Sequence, residues 1–186
     1  MLDLTFERLS VDNLHDFLNY FDREAFTGDN AKWSGCYCQF YLETPGEASS
    51  GPESRDRNRE SACNRVEAGE MNGYLAYSGG KVVGWCAAGS SKLFPGIPGA
   101  EEKLARILCF VIHPQFQGRG IARALMQYAV ADLGALGFAA VEAAPYTQPA
   151  QLAMNYRGHL SMYLTEGFEV VQDMGEFGTL VRKMLD

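Results

Sequence analysis

Leu2 to Leu9 alternates apolar and polar residues through Leu4, Phe6 and Arg8, which predicts a half-buried strand. Asp12 or Asn13 is placed to cap a helix whose apolar face is Leu14, Phe17, Leu18 and Phe21. An aromatic, cysteine-bearing loop follows from Trp33 to Tyr41, then a polar linker from Thr44 to Pro52. The highly charged stretch Glu53–Glu67 is helix-permissive and stops at Gly69. Gly73–Tyr77 and Val82–Ala88 flank Ser78-Gly79-Gly80-Lys81, a hairpin signal. A loop holding Pro95 and Pro98 leads to the continuous apolar run Ile107–Ile112. Helical spacing returns from Ala122 to Leu136, and a further strand spans Phe138–Ala144. The stretch Pro145–Pro149 breaks it, and a helix is expected from about Leu152 to Thr165. Phe168–Gln172 and Thr179–Met184 close the chain as a hairpin around Gly175 and Gly178. The order is β-α-α-β-β-β-α-β-α-β-β, an α/β (α+β) class with a mixed sheet and helices on both faces.

A chain of 186 residues is expected to form a single domain, 1–186, with a substantial core. Hydrophobic residues at 47% and charged residues at 21% are ordinary globular values, so the class rests on pattern. The net charge of −7 argues against a nucleic-acid partner that relies on counterion release, and it permits a cationic amine. No apolar run reaches the length of a membrane span, and Met1-Leu2-Asp3-Leu4 lacks the basic and apolar regions of a signal peptide. Five cysteines without scaffold spacing fit reduced thiols, so a cytoplasmic location is expected.

The passage Gln117-Gly118-Arg119-Gly120-Ile121-Ala122 lies between the apolar run ending in Ile112-His113-Pro114 and the following helix. A strand, a glycine-bearing turn and a helix in that order aim backbone N–H groups and the helix dipole at one point, an anion cradle. Arg119 adds a cation. The string required for a Walker loop, Gly-x-x-x-x-Gly-Lys-Ser/Thr, does not occur. A Rossmann fingerprint fails because Arg123 stands where its third glycine belongs, and the unit lies late in the chain. What remains is Gln-x-x-Gly-x-Ala at Gln117, Gly120 and Ala122.

That string resembles the pyrophosphate loop of the GNAT acyl-CoA N-acyltransferase superfamily. Phe110-Val111-Ile112-His113-Pro114 is similar to the end of the family's central strand, and Asn155 through Tyr163 to Gly167-Phe168 resembles its later helix. The likeness covers roughly residues 70–186 well and the first 70 loosely. It implies a splayed central sheet, acetyl-CoA as cofactor, and acetyl transfer to the amine of a small molecule or peptide. By the same resemblance, the Phe110, Val111 and Ile112 backbone would bind the pantetheine arm and polarise the thioester. The amides of Gln117, Gly118, Arg119, Gly120, Ile121 and Ala122 would hold the pyrophosphate, and Asn155 would contact the pantetheine. Tyr163, four residues before Gly167-Phe168, would protonate the leaving thiolate; an unperturbed tyrosine of pKa near 10 suits a thiolate of about 8.5.

Such a transfer needs the thioester held beside the nucleophile, worth ~7 kcal/mol or more of barrier, a donor for the oxyanion, and proton transfers at both ends. Glu142, between small alanines on its strand, is the candidate base; His159 and His113 are the alternatives. Trp33, Cys36, Cys38 and Tyr41 fall in the segment that lines the acceptor pocket in the family. Their Trp-x-x-Cys-x-Cys-x-x-Tyr spacing resembles a bacterial branch of it. No metal is expected, because two cysteines one residue apart need further ligands at plausible spacing. A homodimer is allowed. The second functional class is an acyl-CoA-binding or sensing module without catalysis on the same fold.

Overall fold

Extended segments with one or both faces apolar become seven strands of a single sheet: β1 (Thr5–Arg8), β2 (Gly73–Ser78), β3 (Lys81–Ser90), β4 (Leu104–Ile112), β5 (Ala140–Ala143), β6 (Glu169–Asp173) and β7 (Thr179–Met184). The computed structural model describes residues 2–44, 46, 50–146 and 152–185. Much of the expected break at Pro145–Pro149, and part of the linker after Thr44, lie outside the described residues. Among the described residues, four α-helices accompany the strands: α1 (Leu14–Arg23), α2 (Arg55–Glu67), α3 (Ile121–Ala135) and α4 (Leu160–Thr165). The element order is the one the pattern predicts, and the sheet runs β1-β2-β3-β4-β5-β7-β6. Every neighbouring pair is antiparallel except β4 and β5.

The chain enters α1 through a capping box centred on Ser10, one turn earlier than the expected cap at Asp12 or Asn13. Its hydroxyl accepts from the Asp12 N–H while the Ser10 N–H donates to Asn13 Oδ1. Two apolar clusters fill the two sides of the sheet. Phe17 and Phe21 of α1 pack with Trp85 of β3 and Val111 of β4 on one side; Ile121, Leu125 and Met126 of α3 pack with Cys86 and Phe110 on the other. Adjacent β-residues pointing to opposite clusters are what the period of two requires.

That period fails where the strand register shifts, between β2 and β3, β3 and β4, and β6 and β7, and the shift in β4 shapes the molecule. Ala87 pairs with Cys109 but Ala88 pairs with Ile107, so Leu108 is an extra residue in β4. Leu108 and Cys109 consequently both face the α1 side. Such a bulge bends its strand and sharpens the twist. Here it coincides with a parting of strands: the β4–β5 register ends at Ile107–Ala143, and Cys109–Ile112 pair with β3 alone.

A second departure from the expected pattern is in the last helix. The segment Leu152–Arg157 is a 3-10 stretch, Gly158 has φ +78°, His159 is extended, and only Leu160–Thr165 is α-helical. Gly158 permits this reversal because a Cβ there would meet Met162 Cε at 2.7 Å and strain a left-handed backbone. The freed strand edge is partly covered by this 3-10 segment, which packs against β4.

Candidate active site

A cleft of about 430 Å³ opens where β4 leaves β5. Cys109, Phe110, Val111 and Ile112 form its floor, and Gln117 and Ala122 close one end. Asn155, Gly158, His159 and Met162 come from the interrupted last helix, and Ala25, Phe26, Trp33, Cys36, Cys38, Phe40, Tyr41 and Tyr156 form the opposite wall.

At the Gln117 end the chain turns through Gly118 (φ +72°) and Gly120 (φ +79°) into the first turn of α3. Both glycines are left-handed, and a Cβ at either would meet no atom within 4 Å, so the loop presents bare backbone to open space. The first N–H groups of α3 have no partner within the helix and carry its positive dipole end. The Arg119 guanidinium lies 5.3 Å from the Phe116 ring centroid, and Gln117 Nε2 donates to the Ile112 carbonyl at 3.3 Å, tying the loop to the strand end.

The opposite wall is rigid and under strain. Tyr37 (φ +41°) and Cys38 (φ +51°) are consecutive non-glycine residues in the left-handed region, a conformation costing about 1–2 kcal/mol per residue. Surrounding bonds over-determine it. The Tyr37 hydroxyl donates to Asp22, which Arg59 also reaches, Gln39 Nε2 donates to the Tyr37 carbonyl, and Trp85 Nε1 donates to Cys38 Sγ at 3.0 Å. A hydrogen bond to Cys38, together with burial, holds the Cys36 thiol well above its ordinary pKa; a hydrogen bond with Cys109 does the same for Cys38. Both thiols are neutral at physiological pH. Burial and the neighbouring Tyr41 push the Tyr156 hydroxyl up to about 12, and burial raises Tyr41 as well. These hydroxyls lie 3.3 Å apart, with Arg157 Nε donating to Tyr41 at 3.2 Å.

Among the described residues, two polar atoms of the cleft are buried without a partner: Trp33 Nε1 and Asn155 Oδ1. Orphaned buried groups are costly, so each is a place where a ligand can repay burial. Among the described residues, no cluster of His, Cys, Asp or Glu could hold a metal ion.

The sequence matches the Acetyltransferase (GNAT) family over residues 33–155, about two thirds of its length. The chain belongs to the GNAT acetyltransferase family. Solved structures of similar fold include the PaiA N-acetyltransferase of Thermoplasma acidophilum in complex with coenzyme A (14% identity, 98% of this chain and 99% of that chain, TM-score 0.59). A putative GNAT acetyltransferase of Desulfovibrio desulfuricans (15% identity, 98% and 99%, TM-score 0.58) is similar too, as is the putative acetyltransferase YncA of Salmonella typhimurium with acetyl-CoA (17% identity, 98% and 94%, TM-score 0.55). No curated relative matches the sequence.

Within this GNAT fold, Phe110, Val111, Ile112, Gln117, Ala122, Asn155, Trp33, Cys36, Cys38 and Tyr41 all line one cleft. Gly118, Arg119 and Gly120 lie beside it on the loop, whereas the Ile121 side chain is buried in the core beneath α3, leaving only its backbone to face a ligand. Two expected catalytic residues lie elsewhere. Glu142 is buried between Arg106 and Arg182, with Arg182 Nη2 at 2.5 Å and Arg106 Nε at 3.6 Å, so its carboxylate is spent in an ion-pair network away from the cleft. Tyr163 has no exposed surface; its hydroxyl donates to the Arg157 carbonyl at 2.9 Å, and its ring lies edge-on to Phe168. Gly158, left-handed between the 3-10 segment and α4, leaves the Arg157 carbonyl within reach of that hydroxyl. Burial, reinforced by Cys86 and Cys109, holds the Tyr163 hydroxyl well above its usual pKa.

Of the two histidine alternatives, His159 lines the cleft. His113 is turned to Gln115 N–H and Glu24 and does not. Phe26, Phe40, Tyr156 and Met162 were missed as cleft residues. Tyr156 adjoins Asn155 and could have been found from that adjacency; the others have no local signal. No helix among the described residues is long and apolar enough to cross a membrane.

Proposed function

We propose that this chain, acting as a single domain, transfers the acetyl group of acetyl-CoA to the nitrogen of an amine. The observation that carries the reading is that the parted strand edge, Cys109–Ile112, and the two ends of the glycine loop, Gln117 and Ala122, line the same cleft. Acetyl-CoA, when bound, supplies an activated thioester. The backbone N–H groups at the start of α3, with Arg119, would hold its pyrophosphate. The unpartnered Asn155 Oδ1 fits an amide N–H of the pantetheine arm. Backbone groups of Leu108–Ile112, freed from pairing with β5, would take the rest of the arm and give the oxyanion a donor.

His159 is the cleft-lining group suited to accept the amine proton. Tyr41 and Tyr156, kept protonated by burial, are the hydroxyls on the cleft that can return a proton to the departing thiolate. The aromatic wall excludes water from the thioester, which hydrolysis would otherwise consume.

A free-thiol release assay with acetyl-CoA against a panel of amines and N-terminal peptides tests the transfer. Calorimetry with CoA tests the binding. Thiol release dependent on an amine supports the reading. Tight CoA binding without release from any amine supports instead the non-catalytic module, a reading favoured by the engaged hydroxyl of Tyr163.

A further inference from the structure

The wall facing Cys109–Ile112 has a chemistry that narrows the acceptor. Trp33, Tyr41, Tyr156 and Phe26 supply aromatic surface, and Cys36 and Cys38 supply neutral thiols. Among the described lining residues there is no Asp, Glu, Lys or Arg. An alkylammonium, with a pKa near 10.4 for a lysine-type amine, would enter as a cation with no carboxylate beside it. Desolvating it there is costly, and its lone pair would stay capped by a proton. Among the described residues, one polar demand remains on this wall: the buried indole N–H of Trp33 has no acceptor.

Resting on the N-acetyl transfer reading above, we infer that the acceptor is a weakly basic aromatic amine that carries an oxygen for the Trp33 indole N–H. An arylamine meets each demand. Delocalisation of its lone pair into the ring keeps it neutral at physiological pH, so no carboxylate is needed to strip a proton before attack. Its ring stacks on Trp33, Tyr41 and Tyr156. A ring carbonyl or amide oxygen accepts from Trp33 Nε1 and removes the desolvation penalty of that donor. In the transfer the amine nitrogen forms a bond to the acetyl carbon and the carbon–sulfur bond breaks. One N–H proton leaves the nitrogen and one is taken up by the sulfur, giving an N-aryl acetamide and free CoA.

The test uses the wild-type chain and Trp33→Phe, which removes the N–H and keeps an aromatic ring. Binding of 4-aminobenzamide and of aniline to CoA-saturated protein is measured by calorimetry, and acetamide formation by mass spectrometry, with benzylamine and spermidine as alkylamine controls. The expected result is binding and acetylation of both arylamines in preference to the alkylamines. Trp33→Phe is expected to weaken 4-aminobenzamide about tenfold more than it weakens aniline, the worth of one ordinary hydrogen bond. Because the two ligands are compared on one variant, a general loss of folding would lower both and overturn the role given to Trp33. Preference for spermidine or benzylamine overturns the acceptor class while leaving amine acetylation standing. Acetylation of no amine at all, with CoA still bound, overturns the transfer reading itself.

Discussion

The Arg106 guanidinium lies 3.6 Å from the Glu142 carboxylate across the parallel β4–β5 pair, one register step before the strands part. Arg106 also donates to the carbonyls of Ile97, Pro98 and Gly99, and Arg182 of β7 reaches Glu142 from the other side. Burial lowers the Arg106 pKa and Glu142 opposes that shift. The pair thus pins the point from which the cleft opens. Its partners are protein, not substrate.

Glu142→Ala is accordingly expected to act on stability. It leaves Arg106 buried with a lost counter-charge, a change of about 3–5 kcal/mol for a broken buried pair. Urea unfolding measures it. In the fraction that stays folded, the pH profile of thiol release should keep its shape; loss of its acidic limb would return the base role to Glu142.

Tyr163→Phe removes one buried hydrogen bond to the Arg157 carbonyl, about 1 kcal/mol of stability. Turnover is expected to stay within a few-fold of wild type if, as proposed, a hydroxyl on the cleft gives the thiolate its proton. A loss of roughly a hundredfold or more, the usual scale of general-acid catalysis, with CoA affinity unchanged, would put the acid at Tyr163.

Gly120→Ala forces a Cβ onto a backbone at φ +79°. The strain costs about 1–2 kcal/mol, and the methyl group stands where a phosphate would approach the amides. CoA affinity measured by calorimetry should fall at least tenfold, while Gly134→Ala, in the interior of α3, should leave it unchanged.

Raised tyrosine pKa values give a signed pH dependence. Burial pushes Tyr156 up to about 12, and burial with Asp22 pushes Tyr37 up to about 12, from an ordinary value of 10.0. Between those values the folded chain keeps protons that the unfolded chain has released, so stability falls as pH rises. Melting temperature should be insensitive to these groups below about pH 9 and drop from pH 10 toward 12. Tyr156→Phe should shallow that drop.

CoA itself should stabilise the fold. At a hundredfold excess over Kd, one-site binding contributes about 2.7 kcal/mol. For a chain of this size that corresponds to roughly 5–10 °C in Tm. No shift at saturating CoA would contradict the cofactor site.

Local pattern determined the strand and helix order, the glycine turn into α3 and the family, because each is written in adjacent residues: a period, a glycine spacing, a strand end before a proline. It also drew Trp33, Cys36, Cys38 and Tyr41 toward the acceptor side. The bulge at Leu108 was hidden, since Ile107-Leu108-Cys109-Phe110 is apolar at every position and has no alternation to lose. Glu142 read as a cleft carboxylate because its partners, Arg106 and Arg182, are 36 and 40 residues away and meet it only through strand pairing. Tyr163 kept the spacing of an acid, yet Gly158 turned the backbone and gave its hydroxyl to a carbonyl. Sequence thus determined which groups the chain carries. Tertiary pairing decided which of them reach the cleft, because burial and counter-charge are set by contacts far apart along the chain.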